Sequence, residues 1–331
     1  MNSNTQVATY TPAAAIRPAA LRRHNVWDAI FRGATGAAGV LVLLMLGAVI
    51  AALIHGSVPS FKKFGFAFVI SDVWNPNPEV DKYGAFPAIY GTVVTSVIAM
   101  LIGIPVSLGI ATFITELCPV WLKRPISTAI ELLAGIPSII YGIWGFFVLA
   151  PFLQDHVQPL LIAVFGHVPL LSTLFSGPPY RMGVFTAGVI LSLMVLPYIT
   201  SVTRDVFETV PAVLKESAYG LGCTTWEVVR NIMLPYTRVG VIGGVMLGLG
   251  RALGETMAVT FVIGNAQRVA SSILAPGATI SATIANEFAE AETDLYTSAL
   301  IELGLILFVI TFLVLAAARL LLARAELAGR T

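Results

Sequence analysis

Four windows of this chain contain no Asp, Glu, Lys or Arg: residues 33–61, 83–115, 132–154 and 182–203. A helix that crosses a hydrocarbon core needs about 20 apolar residues, so each window is long enough. A soluble surface could not be built around them. Only 11% of the residues are charged, against about a quarter in soluble domains. In lipid the backbone pairs its own polar groups only in helices or closed barrels, and barrel strands alternate rather than run apolar. The expected fold class is therefore an all-α polytopic membrane protein.

Hydropathy and turn residues place six transmembrane helices at 33–55, 88–114, 126–150, 183–203, 237–264 and 297–318. Residues 157–175 are apolar but interrupted by Pro159, Gly166, His167 and Pro169, which predicts an interfacial or re-entrant piece. Basic residues set the orientation, because cytoplasmic loops are enriched in Lys and Arg. With both termini inside, the cytoplasmic segments take Arg17, Arg22, Arg23, Arg32, Lys123, Arg124, Arg204, Lys215, Arg230, Arg238, Arg319, Arg324 and Arg330. The outer loops keep Lys62, Lys63, Lys82, Arg181 and Arg268. The organisation read from this is a cytoplasmic tail 1–32, a membrane domain 33–320 and a cytoplasmic tail 321–331. Outer loops fall at 56–87, 153–182 and 266–296. The first span begins too late and runs too long for a cleaved signal peptide. Cys118 and Cys223 are expected as reduced thiols on the cytoplasmic side.

The cytoplasmic segment 210–235, VPAVLKESAYGLGCTTWEVVRNIMLP, reads as two short helices. Pro211 suits a first turn, and Gly220 with Gly222 closes the helix in a left-handed conformation. Thr224 and Glu227 stand at capping-box spacing and start the second helix. Pro235 is expected to end or kink it. Such a helix–glycine–helix knob can seat in a cleft of a partner and pass on a rigid-body push, with Glu216 and Glu227 available for contact. An ordinary loop of two amphipathic helices is the alternative reading.

Span five carries GRALGETMAV at 250–259. A lone charge at the centre of a span costs about 2.5–3.5 kcal/mol on insertion scales. Arg251 and Glu255 are four apart, on one helical face, and can offset part of that cost for each other. Gly240, Gly244 and Gly248 repeat at every fourth position, as do Gly250 and Gly254, a spacing that lets helices approach closely. The charged turn is therefore expected inside the bundle or in a polar cavity, where a translocation route would run. An interior ion pair that only fixes helix register is the alternative. Glu131, placed in span three, is the second candidate buried charge, unless it faces water at the cytoplasmic end. Pro137 is expected to break or kink span three, with Ser138 capping the freed backbone, and Pro105 to do the same in span two. Glu302 is expected at the outer interface.

The residues Glu216, Ala218, Gly222, Ile232, Leu234 and Pro235 fit the pattern EAA, three residues, G, nine residues, I-x-L-P, with Ser217 in place of the first alanine. This resembles the signature loop of permease subunits of ABC importers. YGTVVTSVIAMLIGIPVSLGIATFITEL (90–117), ELLAGIPSIIYGIWGFF (131–147), RALGETMAVTFVIGN (251–265) and ATIANEFAEA (282–291) narrow the resemblance to phosphate importer permeases of the PstC type, from about residue 88 to 318. The resemblance implies the type I ABC importer permease fold and an inner- or plasma-membrane location. It implies a sister permease, two copies of an ATPase subunit, an extracytoplasmic phosphate-binding protein and phosphate as the cargo. It also implies that the 210–235 loop couples to the ATPase through Glu216, Ala218 and Gly222. On this reading Arg251 lines the phosphate pathway, since guanidinium matches phosphate oxygens bidentately, and Glu255 holds it in place.

No G-x-x-x-x-G-K-[ST] occurs, so a P-loop for ATP is not expected in this chain. His24, His55, His156 and His167 lack metal spacing, and no nucleophile motif is present. A catalytic site, a metal, a cofactor and nucleic-acid binding are not expected. Two other readings stay open: a permease of the same superfamily for another oxyanion, and an ion-driven secondary transporter or channel. The latter would not need the glycine-hinged loop.

Overall fold

A computed structural model describes residues 18–77, 81–169 and 171–328, with side chains described between residues 27 and 320. Among the described residues there is no strand, only an isolated antiparallel bridge between Asn75 and Lys82. Six helices are long and apolar enough to cross a membrane. We label the elements used below α1 (Pro18–Phe64), α2 (Phe86–Leu117), α3 (Val120–Ala134), α4 (Ser138–Phe165), α5 (Val184–Glu208), α6 (Ala212–Gly220), α7 (Thr225–Leu253), α8 (Met257–Val262), α9 (Ile280–Glu287) and α10 (Asp294–Ala328).

The chain divides after Ala52 into two compact units. In the first, residues 27–49 are exposed around the whole helix, from Trp27 through Leu43 to Val49. From Gly33 to Val49 that exposed surface carries no charge, which suits lipid and not water. The second unit, from Leu53, is built around α5. Two-thirds of its apolar window is buried, because α2, α7 and α8 all pack on it. Ile190, Leu191, Val195 and Ile199 of α5 are fully enclosed, with Ala99, Ala258, Val262 and Ile263 in the same cluster.

Two spans differ from their sequence placement. The third crossing is Ser138–Phe165, not 126–150. Pro137 breaks the chain as expected: it lacks an N–H and stands in an extended conformation (φ −57°, ψ 136°). Apolar residues flank the break on both sides, so hydropathy alone cannot register it. Residues 158–165, read as part of an interfacial piece, instead continue α4, with Pro159 tolerated in the helix. Ser138 opens α4 but makes no capping hydrogen bond. Pro105 sits within α2 without interrupting it.

The fifth crossing is also shifted. The second helix of the 210–235 loop runs directly into it through a wide π-type turn at Val229–Met233, so Pro235 does not end the helix. At the other end the crossing stops at Leu253 and resumes only in α8.

Trp74, Asp81 and Tyr83 form one cap with the end of α9 and the start of α10. A single carboxylate oxygen of Glu287 accepts from Trp74 Nε1 at 2.7 Å and from the Tyr296 hydroxyl at 2.6 Å. Its other oxygen accepts from Gln267 Nε2 at 3.2 Å. Tyr83 stacks on Tyr296. Burial, with Asp81 beside it, pushes the Tyr83 phenol up to about 12, so it remains a neutral donor to Asp81.

Candidate functional site

Helix α7 meets α5 along a stripe of small residues. A methyl group at Gly240 would stand 2.6 Å from Val206, one at Gly244 3.1 Å from Val202, and one at Gly248 2.7 Å from Ile199. The α7 backbone therefore packs directly on branched side chains of α5, where only hydrogen fits. Gly250 and Gly254 do not take part. The nearest group to a methyl at Gly250 is Leu315 at 3.9 Å, and at Gly254 it is the Gly250 carbonyl at 3.7 Å. The reason is the helix end at Leu253, which removes Gly254 from any continuous packing face.

This helix end creates the charged turn. Gly254 closes α7 with a long bond from its N–H to the Gly250 carbonyl, 3.4 Å. The Glu255 carbonyl leaves the helical ladder and accepts from Ser281 Oγ at 2.7 Å. An unwound backbone at membrane depth needs such a partner, because lipid supplies none. The Glu255 side chain, only 6% exposed, turns back: one oxygen accepts from the Ala258 N–H at 3.4 Å and the other lies 3.7 Å from the Arg251 guanidinium. The pair thus straddles a helix break rather than sharing one helical turn.

Arg251 is one-third exposed and opens into a cavity of about 640 Å³ between α7 and α10. Its guanidinium lies over the ring of Tyr198, 4.8 Å from the centroid, which fixes its plane. The Tyr198 hydroxyl in turn donates to the Ala134 carbonyl at 3.3 Å. Arg251 Nε is buried without an acceptor. Tyr198 was not singled out from sequence. Its only local signal is a tyrosine directly after Pro197, inside a charge-free span.

Glu131 does not join this site. It stands on α3, outside the third crossing, half exposed, and pairs with Arg204 at 2.9 Å. Arg204 also binds Asp205 at 2.7 Å. Of the two readings left open for Glu131, the structure matches the water-facing one: α3 is amphipathic and Glu131 lies on its exposed, polar side. Glu302, expected at the outer interface, is enclosed by protein. It is 4% exposed on α10, beside Ser60, and its Oε2 has no partner among the described residues.

The knob between α5 and α7 folds as its residues dictate. Gly222 takes φ +87°, and Thr224 with Glu227 forms a complete capping box. Glu227 is therefore engaged locally rather than held out for a partner. Ala218 is buried against Val228, Val229 and Met233, with Ile232 and Leu234 packed beside them, and Pro235 is exposed at the start of the span. Glu216 is exposed, and so are Val213, Leu214, Leu221 and Trp226. Lys215 points inward and pairs with Glu116 of α2 at 2.8 Å, with the acid 8% exposed. Lys123 and Glu208 pair at 2.9 Å alongside. Cys118 and Cys223 are free thiols.

Residues 103–326 match the family described as binding-protein-dependent transport system inner membrane component. The chain is 63% identical over 310 residues to a phosphate transport system permease protein PstC of Mesorhizobium japonicum, covering 94% of each chain. It is 55% identical to that of Pasteurella multocida, over 92% of this chain and 94% of the relative. It is 38% identical to a probable one of Methanocaldococcus jannaschii, over 83% and 86%. Among solved structures, the fold resembles a bacterial alginate ABC transporter bound to its periplasmic protein, with TM-score 0.56 and 17% identity over 88% of this chain and 95% of that one.

Proposed function

The chain belongs to the binding-protein-dependent transport inner membrane components, among the PstC permeases, and from that premise we propose that it forms half of the translocation route of an ATP-driven phosphate importer. It is a transport component, not an enzyme, and a multi-pass membrane protein. In this reading a sister permease completes the route, and two copies of an ATPase supply the energy. A phosphate-binding protein docks on the outer cap tied together by Glu287. Both termini and the 210–235 knob face the cytoplasm.

One observation carries the reading: Arg251 stands at a helix break beside a cavity, with its Nε unpaired and its counter-ion reaching it only at 3.7 Å. A guanidinium locked in a tight bidentate pair would have one edge of its five-donor fork taken and its charge largely neutralised. This one keeps donors free, and Glu255 from behind keeps an anion from binding too firmly. Discontinuous helices of this kind suit a passage point, since they change shape with few broken contacts. The knob supplies the movement. Exposed Glu216 and its apolar neighbours seat in the ATPase, while Ala218 and Gly222 hold the two knob helices together. ATP-driven closure then shifts α7 and its broken end.

The test is uptake of labelled phosphate by vesicles carrying the whole assembly. Arg251→Gln is expected to abolish uptake while the complex still assembles; near-normal uptake would reject the pathway role. The same preparation, offered sulfate or molybdate instead, decides between phosphate and another oxyanion. ATP-independent uptake would favour an ion-driven carrier.

A further inference from the structure

The cavity beside Arg251 holds a second guanidinium. Its lining includes Tyr198, Met246, Leu247, Arg251, Leu315 and Arg319, and no carboxylate. Glu255 stands behind Arg251 and does not line it. Among the described residues Arg319 has no ion pair. Arg319 is exposed, yet it lines the same open cavity as Arg251, which a residue serving only as a cytoplasmic anchor has no need to do.

Both arginines line the one cavity, and helix geometry accounts for it. Helices α7 and α10 are successive crossings and run antiparallel, and Gly250 lies against Leu315. Arg319 is one turn beyond Leu315. The Cα–Cβ bond tilts toward the N-terminus of its own helix. Arg251 therefore leans toward the Thr225 end of α7, and Arg319 leans back toward Leu315. Two cations converge on one volume with no acid between them, which raises the local potential and favours an anion. The anion best matched to two planar forks carries several ionised oxygens around one centre.

We propose that Arg251 and Arg319 together form a phosphoryl-oxyanion site, with Arg319 as the station from which the anion leaves toward the cytoplasm. This rests on the reading of Arg251 as part of the route and adds a residue to it. The shared chemistry is the phosphoryl group, carried either by free orthophosphate or by the headgroup of an acidic phospholipid.

The experiment uses the complete transporter in two kinds of vesicle, phosphatidylcholine alone and phosphatidylcholine with phosphatidylglycerol. Labelled orthophosphate uptake, ATP hydrolysis stimulated by the binding protein, and phosphatidylglycerol retained on purification are measured for Arg251→Gln, Arg319→Gln and Arg319→Lys. Loss of a charge-assisted contact predicts uptake about ten-fold lower for Arg319→Gln in phosphatidylcholine, with stimulated hydrolysis retained. Arg319→Lys should recover part of it, since the charge remains and the fork is lost. Unchanged uptake with phosphatidylglycerol retention lost in Arg319→Gln would assign the site to a lipid headgroup and overturn Arg319 as an exit station for phosphate. Unchanged uptake and unchanged retention would overturn the proposal. In that case, loss of uptake in Arg251→Gln would leave the pathway reading standing, whereas normal uptake in Arg251→Gln would remove that reading by itself. Should Arg319→Gln fail to assemble, wild-type uptake and retention in Arg319→Lys would count against the site.

Discussion

Arg251 depends on Tyr198 for its orientation. The ring face lies 4.8 Å from the guanidinium carbon, and such a contact contributes about 0.5–2 kcal/mol depending on solvent exposure. Tyr198→Leu removes the π face and frees the guanidinium to swing toward Glu255. Uptake should fall several-fold. Tyr198→Phe keeps the face and loses only a 3.3 Å hydrogen bond, so it should transport nearly as the parent does. Equal uptake in the two variants would show that the ring does not position Arg251. The arginine was legible in the sequence because a charge inside an apolar run must have a reason. Tyr198 was not, because a tyrosine in a span is ordinary until a cation is seen over it. The sequence leaves Glu131 open between burial and water, for the converse reason. Its apolar neighbours suggested burial, but those neighbours lie on the other face of an amphipathic α3, and its charge meets Arg204.

The contact of α7 with α5 turns on single hydrogen atoms. Gly248→Val would place carbon 2.7 Å from Ile199, and overpacking of this kind costs about 1–3 kcal/mol. Gly243, on the same helix, has nothing within 4 Å of an added methyl. Gly248→Val should lower the thermal midpoint of the purified complex, and Gly243→Ala should leave it unchanged; the opposite order would refute the packing account. The four-residue glycine period was readable, and Gly240, Gly244 and Gly248 form the contact. The same period at Gly250 and Gly254 forms none. The cause lies far along the chain: Ser281 takes the Glu255 carbonyl and stabilises a break that no local proline announces. Pro137 is the contrasting case. The proline itself was readable as a break, but not which side of it spans the membrane, since both sides are apolar.

Across the molecule, the proposed mechanism requires the knob and the bundle to move as one if ATP energy is to reach Arg251. The bundle and its six crossings were legible because hydrophobic length is a property of the sequence itself. The tie between knob and bundle was not, because its partners are 99 residues apart. Lys215 of α6 reaches Glu116 at the end of α2, both largely enclosed. Removing one member of an enclosed pair strands the other, which costs about 3–5 kcal/mol, whereas exchanging them keeps the attraction. Lys215→Ala should therefore loosen the knob from the bundle. In reconstituted vesicles the ATP hydrolysed per phosphate imported should rise, because the ATPase still closes on Glu216 but the push is lost. Lys215→Glu alone should be worse, placing two acids together. Lys215→Glu combined with Glu116→Lys should recover much of the parental ratio. If the double exchange is no better than Lys215→Glu alone, the pair does not carry the movement, and the apolar packing of Ala218 on Val228 and Met233 must carry it instead.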